Sequence, residues 1–285
     1  MTTIPVPPPV SVETILHDAW KLLRRNWVLV APMLLAGVAV TALIVVIAVV
    51  AVLNGSFATG KMSNAAIATF AVGYVVMLLV VLAVAVVATD ATFGMADAVW
   101  VKGTTSLGDG MRSARARFGA TCVAFVGYIG LAIAALFLLI PTLGLALLAF
   151  PIVTMYALPA VVSGGFGGFA AFGESWRLVR RYFGISAIAC LILIALQYVI
   201  SLALYVLIVP IEIGMALAGN GQATPSLLVI GVLAVVLLVA SLVMLVILYA
   251  YHAYYTLALV GLYRWLRARA AAEDAAASPL PAPLG

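Results

Sequence analysis

Charge is scarce in this chain. Only 8% of its 285 residues are Asp, Glu, Lys or Arg, against 67% hydrophobic. An ordinary soluble domain carries about a quarter charged residues, so a soluble globular fold is excluded. No polar stretch is long enough to form a separate soluble domain. Histidine and cysteine are scarce too, with two of each. Cys122 and Cys190 each lie near the start of an apolar run, and no disulfide framework or metal-ligand spacing is visible. The nine carboxylates are scattered and offer no paired acid/base site. No serine sits in a strand-turn-helix elbow. The chain is therefore read as non-enzymatic, with no catalytic, metal or cofactor residues assigned. Thr2 stands where N-myristoylation needs a glycine, and the final residues carry no prenylation box. The first apolar run starts only at Val28 and is too long for a signal-peptide core. Membrane insertion is thus expected to rest on the spans themselves.

What the chain has in abundance is long apolar sequence. Six runs stand out: Val28–Leu53, Ala65–Thr89, Ala120–Ile140, Leu143–Val162, Ile185–Val209 and Leu227–Ala250. Each reaches the roughly 20 residues that a helix needs to cross a bilayer core of about 30 Å. An all-α polytopic membrane protein with six transmembrane helices follows. Basic residues fall in alternate gaps. Lys21, Arg24 and Arg25 precede the first run; Lys102, Arg112, Arg115 and Arg117 separate the second from the third. Arg177, Arg180 and Arg181 separate the fourth from the fifth, and Arg264, Arg267 and Arg269 follow the sixth. Only Lys61 falls in a gap of the other set. Short loops rich in Lys and Arg stay in the cytoplasm. Both termini are therefore expected inside a bacterial inner membrane. The net charge of +5 is split among these sites and does not form a nucleic-acid face. Anionic membrane lipids are the expected partner, at about 1 kcal/mol per basic residue near the surface. Other membrane proteins are a further candidate partner.

Three segments sit at the basic entries to the spans. From Ser11, a cap residue, Val12, Ile15, Leu16, Ala19, Trp20, Leu23 and Trp27 recur at i, i+3, i+4 spacing, with Glu13, His17, Lys21 and Arg24 opposite. This predicts an amphipathic helix lying in the interface. Phe169, Phe172, Trp176, Val179 and Phe183 repeat the stripe. Residues 18–27 (DAWKLLRRNW) and 174–183 (ESWRLVRRYF) align over ten positions, and 109–118 (DGMRSARARF) is a weaker copy. The chain then reads as three parallel repeats, about 11–100, 104–163 and 166–265, each a cytoplasmic-side surface helix followed by two spans. They make one six-helix domain over 11–269. Tails at 1–10, rich in proline, and 270–285, rich in alanine and proline, are expected to be disordered. Polar connections are expected at 54–64 and 210–225, and a turn at Pro141. Trp20, Lys21, Arg24, Arg25, Trp176, Arg177, Arg180 and Arg181 are the candidate headgroup contacts.

Polar residues within the spans are few, and each is a candidate functional group because it is costly there. Gln197, Ser201 and Tyr205 step by four along the fifth run, and Glu212 lies seven further on. The stripe either lines a path for a polar solute or supplies interhelical hydrogen bonds, with Glu212 in solvent. Asp90 and Asp97 share a face near the inner end of the second span. They are expected to pair with Arg112, Arg115 or the Arg pairs of the surface helices. The run Gly164–Gly168 has no Lys-Ser/Thr after it and no strand before it, so a phosphate loop is excluded. A flexible joint is expected there, and bends at Pro151 and Pro159. The tyrosines around His252 read as an aromatic belt.

Ala157-Leu-Pro-Ala-Val-Val162, followed by Ser175-Trp-Arg-Leu-Val-Arg-Arg181, resembles the six-helix membrane domain attached to some bacterial glycerophosphodiester phosphodiesterases, which also occurs in stand-alone inner-membrane proteins. The family's Glu after the Pro-Ala segment is replaced here by Ser163 and Gly164, and the metal-binding acids and catalytic histidines of the phosphodiesterase barrel have no counterpart. The resemblance implies a membrane module and gives no warrant for hydrolase activity. The expected function is a non-enzymatic module that organises lipid or partner proteins. The alternative is a transporter or permease for a lipid or small amphiphile. Cysteines placed at Arg112 and Arg180 should react with an impermeant reagent from the same membrane face; labelling from opposite faces would overturn the topology.

Overall fold

The computed structural model describes residues 11–53, 64–220 and 227–277, with side chains for most of them. Lys61, the Pro-rich residues 1–10 and the polar connection at 54–63 lie outside that set. Among the described residues the chain is all-helical. Helix α1 (Val12–Arg25) and a 3-10 turn (Trp27–Val30) lead into α2 (Ala31–Leu53). There follow α3 (Asn64–Lys102), α4 (Leu107–Phe137), α5 (Leu145–Thr154), α6 (Ala157–Val162), α7 (Gly168–Arg181), α8 (Phe183–Asn220) and α9 (Leu227–Ala277). Six stretches are long and apolar enough to cross a membrane: Trp27–Ile47, Val72–Lys102, Leu107–Phe137, Leu145–Val162, Phe183–Ala203 and Leu242–Ala277. The class is that of a multi-pass membrane protein.

The core lies at the end of the bundle that carries the basic residues. Leu16, Leu23, Phe93, Met95, Tyr156, Leu178, Leu257, Tyr263 and Leu266 are buried together there. Elsewhere the spans expose apolar side chains such as Val38, Ile44, Val75, Val199 and Leu202, as helices facing lipid do. Polar side chains knit the core. The indole of Trp100 on α3 donates to the Leu257 carbonyl of α9 at 2.9 Å. Tyr251 donates to the Leu193 carbonyl of α8 at 2.7 Å.

Several expectations change. The second basic segment is not a separate surface helix. Residues 109–118 form the first turns of α4, which runs unbroken from Leu107 because Ser106 and Asp109 make a reciprocal capping box. The connection expected at 210–225 shortens, since α8 stays helical to Asn220. Helix α9 continues to Ala277, past the boundary expected at 269. Alanine has the best helix propensity, and Glu273 and Asp274 are held by Arg181 and Arg269.

Glycines 164–168 build a fixed corner, not a loose joint. Gly165 has φ +75°, in the left-handed region, and the Phe166 amide returns to the Ala160 carbonyl at 3.1 Å. Gly168 lets α7 approach α4, because a Cβ there would lie 2.6 Å from the Ala120 carbonyl.

The fourth span is broken. Its helix stops at Thr154 and restarts at Ala157. Pro159 has no N–H for the Met155 carbonyl and its ring crowds that turn. Inside an apolar medium each freed polar group needs a partner. Ser175 of α7 supplies two contacts: its hydroxyl donates to the Val153 carbonyl at 2.6 Å and accepts from the Tyr156 amide at 3.2 Å. Tyr128 of α4 donates to the Thr154 carbonyl at 2.6 Å. The Tyr156 hydroxyl meets Ser186 of α8 at 3.2 Å. Ser175→Ala should leave a buried amide and carbonyl unpaired and cost about 1–3 kcal/mol. Thermal unfolding in detergent, followed by helix circular dichroism, measures that loss; an unchanged midpoint would refute the clasp.

Candidate functional site

The three ten-residue windows occupy the basic end and present their residues in one rotational phase. The second position is small and buried in each: Ala19, Gly110 and Ser175. The sixth is buried as well, at Leu23, Ala114 and Val179. Residues four apart share a helix face, so this face docks on the bundle. Space is tight there. A Cβ on Gly110 would sit 2.9 Å from the Ala91 carbonyl of α3.

The third and tenth positions face outward. They are Trp20 and Trp27, Met111 and Phe118, and Trp176 and Phe183, between 41% and 60% exposed. On α7 three residues of the expected stripe, Phe169, Trp176 and Phe183, are exposed, while Val179 of that stripe is buried with Gly168, Ala171, Ser175, Leu178 and Tyr182. On α1 the buried residues Ile15, Leu16, Ala19 and Leu23 do belong to the expected stripe. They pack within the protein, so that stripe is not free to enter a bilayer. Trp20, half exposed at its flank, stands edge-on to Tyr254 with ring centroids 6.2 Å apart.

The charges repeat as well. The acid at the first position pairs with the base at the fourth in every window. The pairs are Asp18 with Lys21 at 3.5 Å, Asp109 with Arg112 at 3.6 Å and Glu174 with Arg177 at 2.9 Å. Glu174 is buried and grips both the Nε and Nη2 of Arg177. These hydrogen bonds hold the Arg177 guanidinium above its ordinary pKa. The seventh position is a cation in all three windows: Arg24, Arg115 and Arg180. All three are exposed, and among the described residues no carboxylate pairs with them. Arg25 is exposed and likewise unpaired there.

Arg181 differs from its neighbour Arg180. It binds Glu273 at 2.9 Å and Asp274 at 2.7 Å, and Tyr182 donates to Glu273 at 2.9 Å. Burial, then the Glu273 hydrogen bond, raise the Tyr182 phenol above its ordinary pKa. Arg181 therefore anchors the end of α9. The helix ends of α1 and α7 also match: Asn26 and Tyr182 have φ,ψ of −128°, 55° and −125°, 45°. Asn26 donates to the Gly103 carbonyl at 3.2 Å, tying the first basic segment to the second.

The span acids find other partners than those expected. Asp97 pairs with Arg264 of α9 at 2.6 Å. Asp90 is fully buried and accepts from Thr121 of α4 at 3.0 Å through one oxygen. Neither meets Arg112, Arg115 or a surface-helix Arg pair. Gln197 and Ser201 lie on α8 and bond each other at 3.4 Å. Tyr205 is 70% exposed on the outside of the bundle. The side chain of Glu212 lies outside those described.

Comparison with known proteins finds no matching family model, no matching curated protein and no matching solved structure. Replacing Glu273 and Asp274 together with Ala should speed amide hydrogen exchange over residues 270–277 and spare 251–262, where α9 is buried. Uniform protection in both forms would show that Arg181 does not hold this end.

Proposed function

We propose that this chain is a non-enzymatic protein of the bacterial inner membrane, with both termini cytoplasmic. Three parallel repeats each set one basic helical segment against the anionic inner leaflet, where they organise lipid headgroups and neighbouring membrane proteins. One observation carries the reading: an exposed cation with no carboxylate partner among the described residues stands at the same position of all three windows, at Arg24, Arg115 and Arg180. An Arg at the water interface gains from a lipid phosphate through charge-assisted hydrogen bonds. Within each window the base at the fourth position is occupied by its own acid, which leaves the seventh for an outside anion. Trp20 and Trp27 beside Arg24, and Trp176 beside Arg180, have the amphipathic character favoured at headgroup depth. The resemblance of residues 157–181 to the membrane module of bacterial phosphodiesterases adds to this reading.

Reconstituted protein should prefer spin-labelled phosphatidylglycerol over phosphatidylcholine. Each of Arg24→Gln, Arg115→Gln and Arg180→Gln should lower that preference about fivefold at low salt, the equivalent of about 1 kcal/mol per cation. High salt should compress the effect. Arg181→Gln should leave the preference unaltered. A wild-type protein indifferent to headgroup charge would end the proposal.

A further inference from the structure

Among the described residues, three apolar grooves open sideways on the bundle, with volumes of about 460, 490 and 440 Å³. This is within the size range of ligand pockets, roughly 300–1,000 Å³. The first lies between α1, α8 and α9 and is flanked by Trp20 and Trp27, with Leu196, Ile200 and Ile247 as walls. The second lies between α2, α3 and α4 and is flanked by Met111 and Phe118, over Pro32, Ala39 and Ala83. The third lies between α5, α7 and α8 and is flanked by Trp176 and Phe183, over Leu148, Ala149 and Ile152, with Arg180 in its wall. In each window the flanking residues are the third and the tenth. The unpaired cation stands at the seventh, one turn beyond the third and on the same helix face; in the first and third windows the tenth residue follows the helix end at Asn26 or Tyr182.

Resting on the headgroup reading above, we propose that each groove is a binding site for one acyl chain of one anionic phospholipid. The Arg at the seventh position holds its phosphate, and the residues at the third and tenth positions clamp the chain. The protein then carries three such lipids as fixed components. The groove linings name the occupant. They are aliphatic and aromatic, so burial favours a hydrocarbon chain. Arg180 lines the third groove, and Arg24 and Arg115 hold the same window position beside residues that flank the other two, so the chain must bear an anion. A partner helix would have to supply a carboxylate at the same place three times over, whereas the bilayer presents a phosphate with its chains everywhere along the interface.

The test counts lipids retained by the purified full chain in mild detergent, by native mass spectrometry, as phosphatidylglycerol is added. Retention should rise to three and stop. Ala250→Phe, Ala39→Phe and Ala149→Phe each place a ring in one groove, and each should lower the plateau by one. Should Ala250→Phe reduce the thermal midpoint, Ile200→Trp fills the same groove from its other wall. Retention that never saturates, or a plateau that no filled groove changes, overturns the proposal while leaving the anionic preference standing. If phosphatidylcholine is retained at three and displaced by the same substitutions, the grooves hold chains and the headgroup reading of the previous subsection falls.

Discussion

The orientation of the third basic helix hangs on one hydroxyl. Pro159 interrupts the fourth span where Thr154, Met155 and Tyr156 are buried, and Ser175 takes up the two backbone groups nearest the break. A helix turns by about 100° per residue. With Ser175 pointed at the break, Trp176 must swing away from the bundle, and Arg180, four residues on, follows it. The same hydroxyl thus links a helix defect to the display of an aromatic ring and a cation. It also explains why the Ala-Leu-Pro-Ala segment and the Ser-Trp-Arg segment occur together in this sequence. One makes the gap that the other closes. The first two windows have no break to repair. They place Ala19 and Gly110 at the equivalent position and reach the same rotation by close packing alone.

The spans were legible in the sequence because they are long-range patterns of hydropathy, and the six runs map onto the six candidate spans. The protein-facing side of α7 was not legible. A hydrophobic stripe marks the face that avoids water, and in a membrane that face has two destinations, lipid or protein. Phe169, Trp176 and Phe183 belong to the stripe expected at the interface and are exposed, whereas Gly168, Ala171 and Ser175 pack against the protein. Small residues let helix backbones approach closely, which is how packing is achieved where lipid already satisfies large apolar side chains. On α1 the stripe expected at the interface instead buries Leu16 and Leu23 against protein.

Pairings between distant residues were the other gap. The sequence places Asp97 close to Arg112 and Arg115, yet the structure gives it Arg264, 167 residues away. The helical end of α9 was hidden for the same reason. Residues 270–277 look like a fraying alanine tail until Arg181, more than ninety residues earlier, is known to face Glu273 and Asp274. Adjacent arginines consequently have different roles. Arg181 is spent within the fold and Arg180 is not, a distinction that no local pattern in the Arg-Arg pair contains.

The same geometry weighs on how the polar residues of the fifth span are to be understood. A path for a polar solute needs polar atoms from several helices facing one void. Gln197 donates to Ser201 on its own helix, and Tyr205 stands on the outer surface of α8. A hydroxyl and an amide that satisfy each other along one helix lower the cost of polar groups facing hydrocarbon. They do not require a solute to explain them. The grooves whose linings are described are apolar, the third has Arg180 in its wall, and none is lined by a carboxylate or an amide side chain. Such linings suit the amphiphile proposed above better than a polar solute.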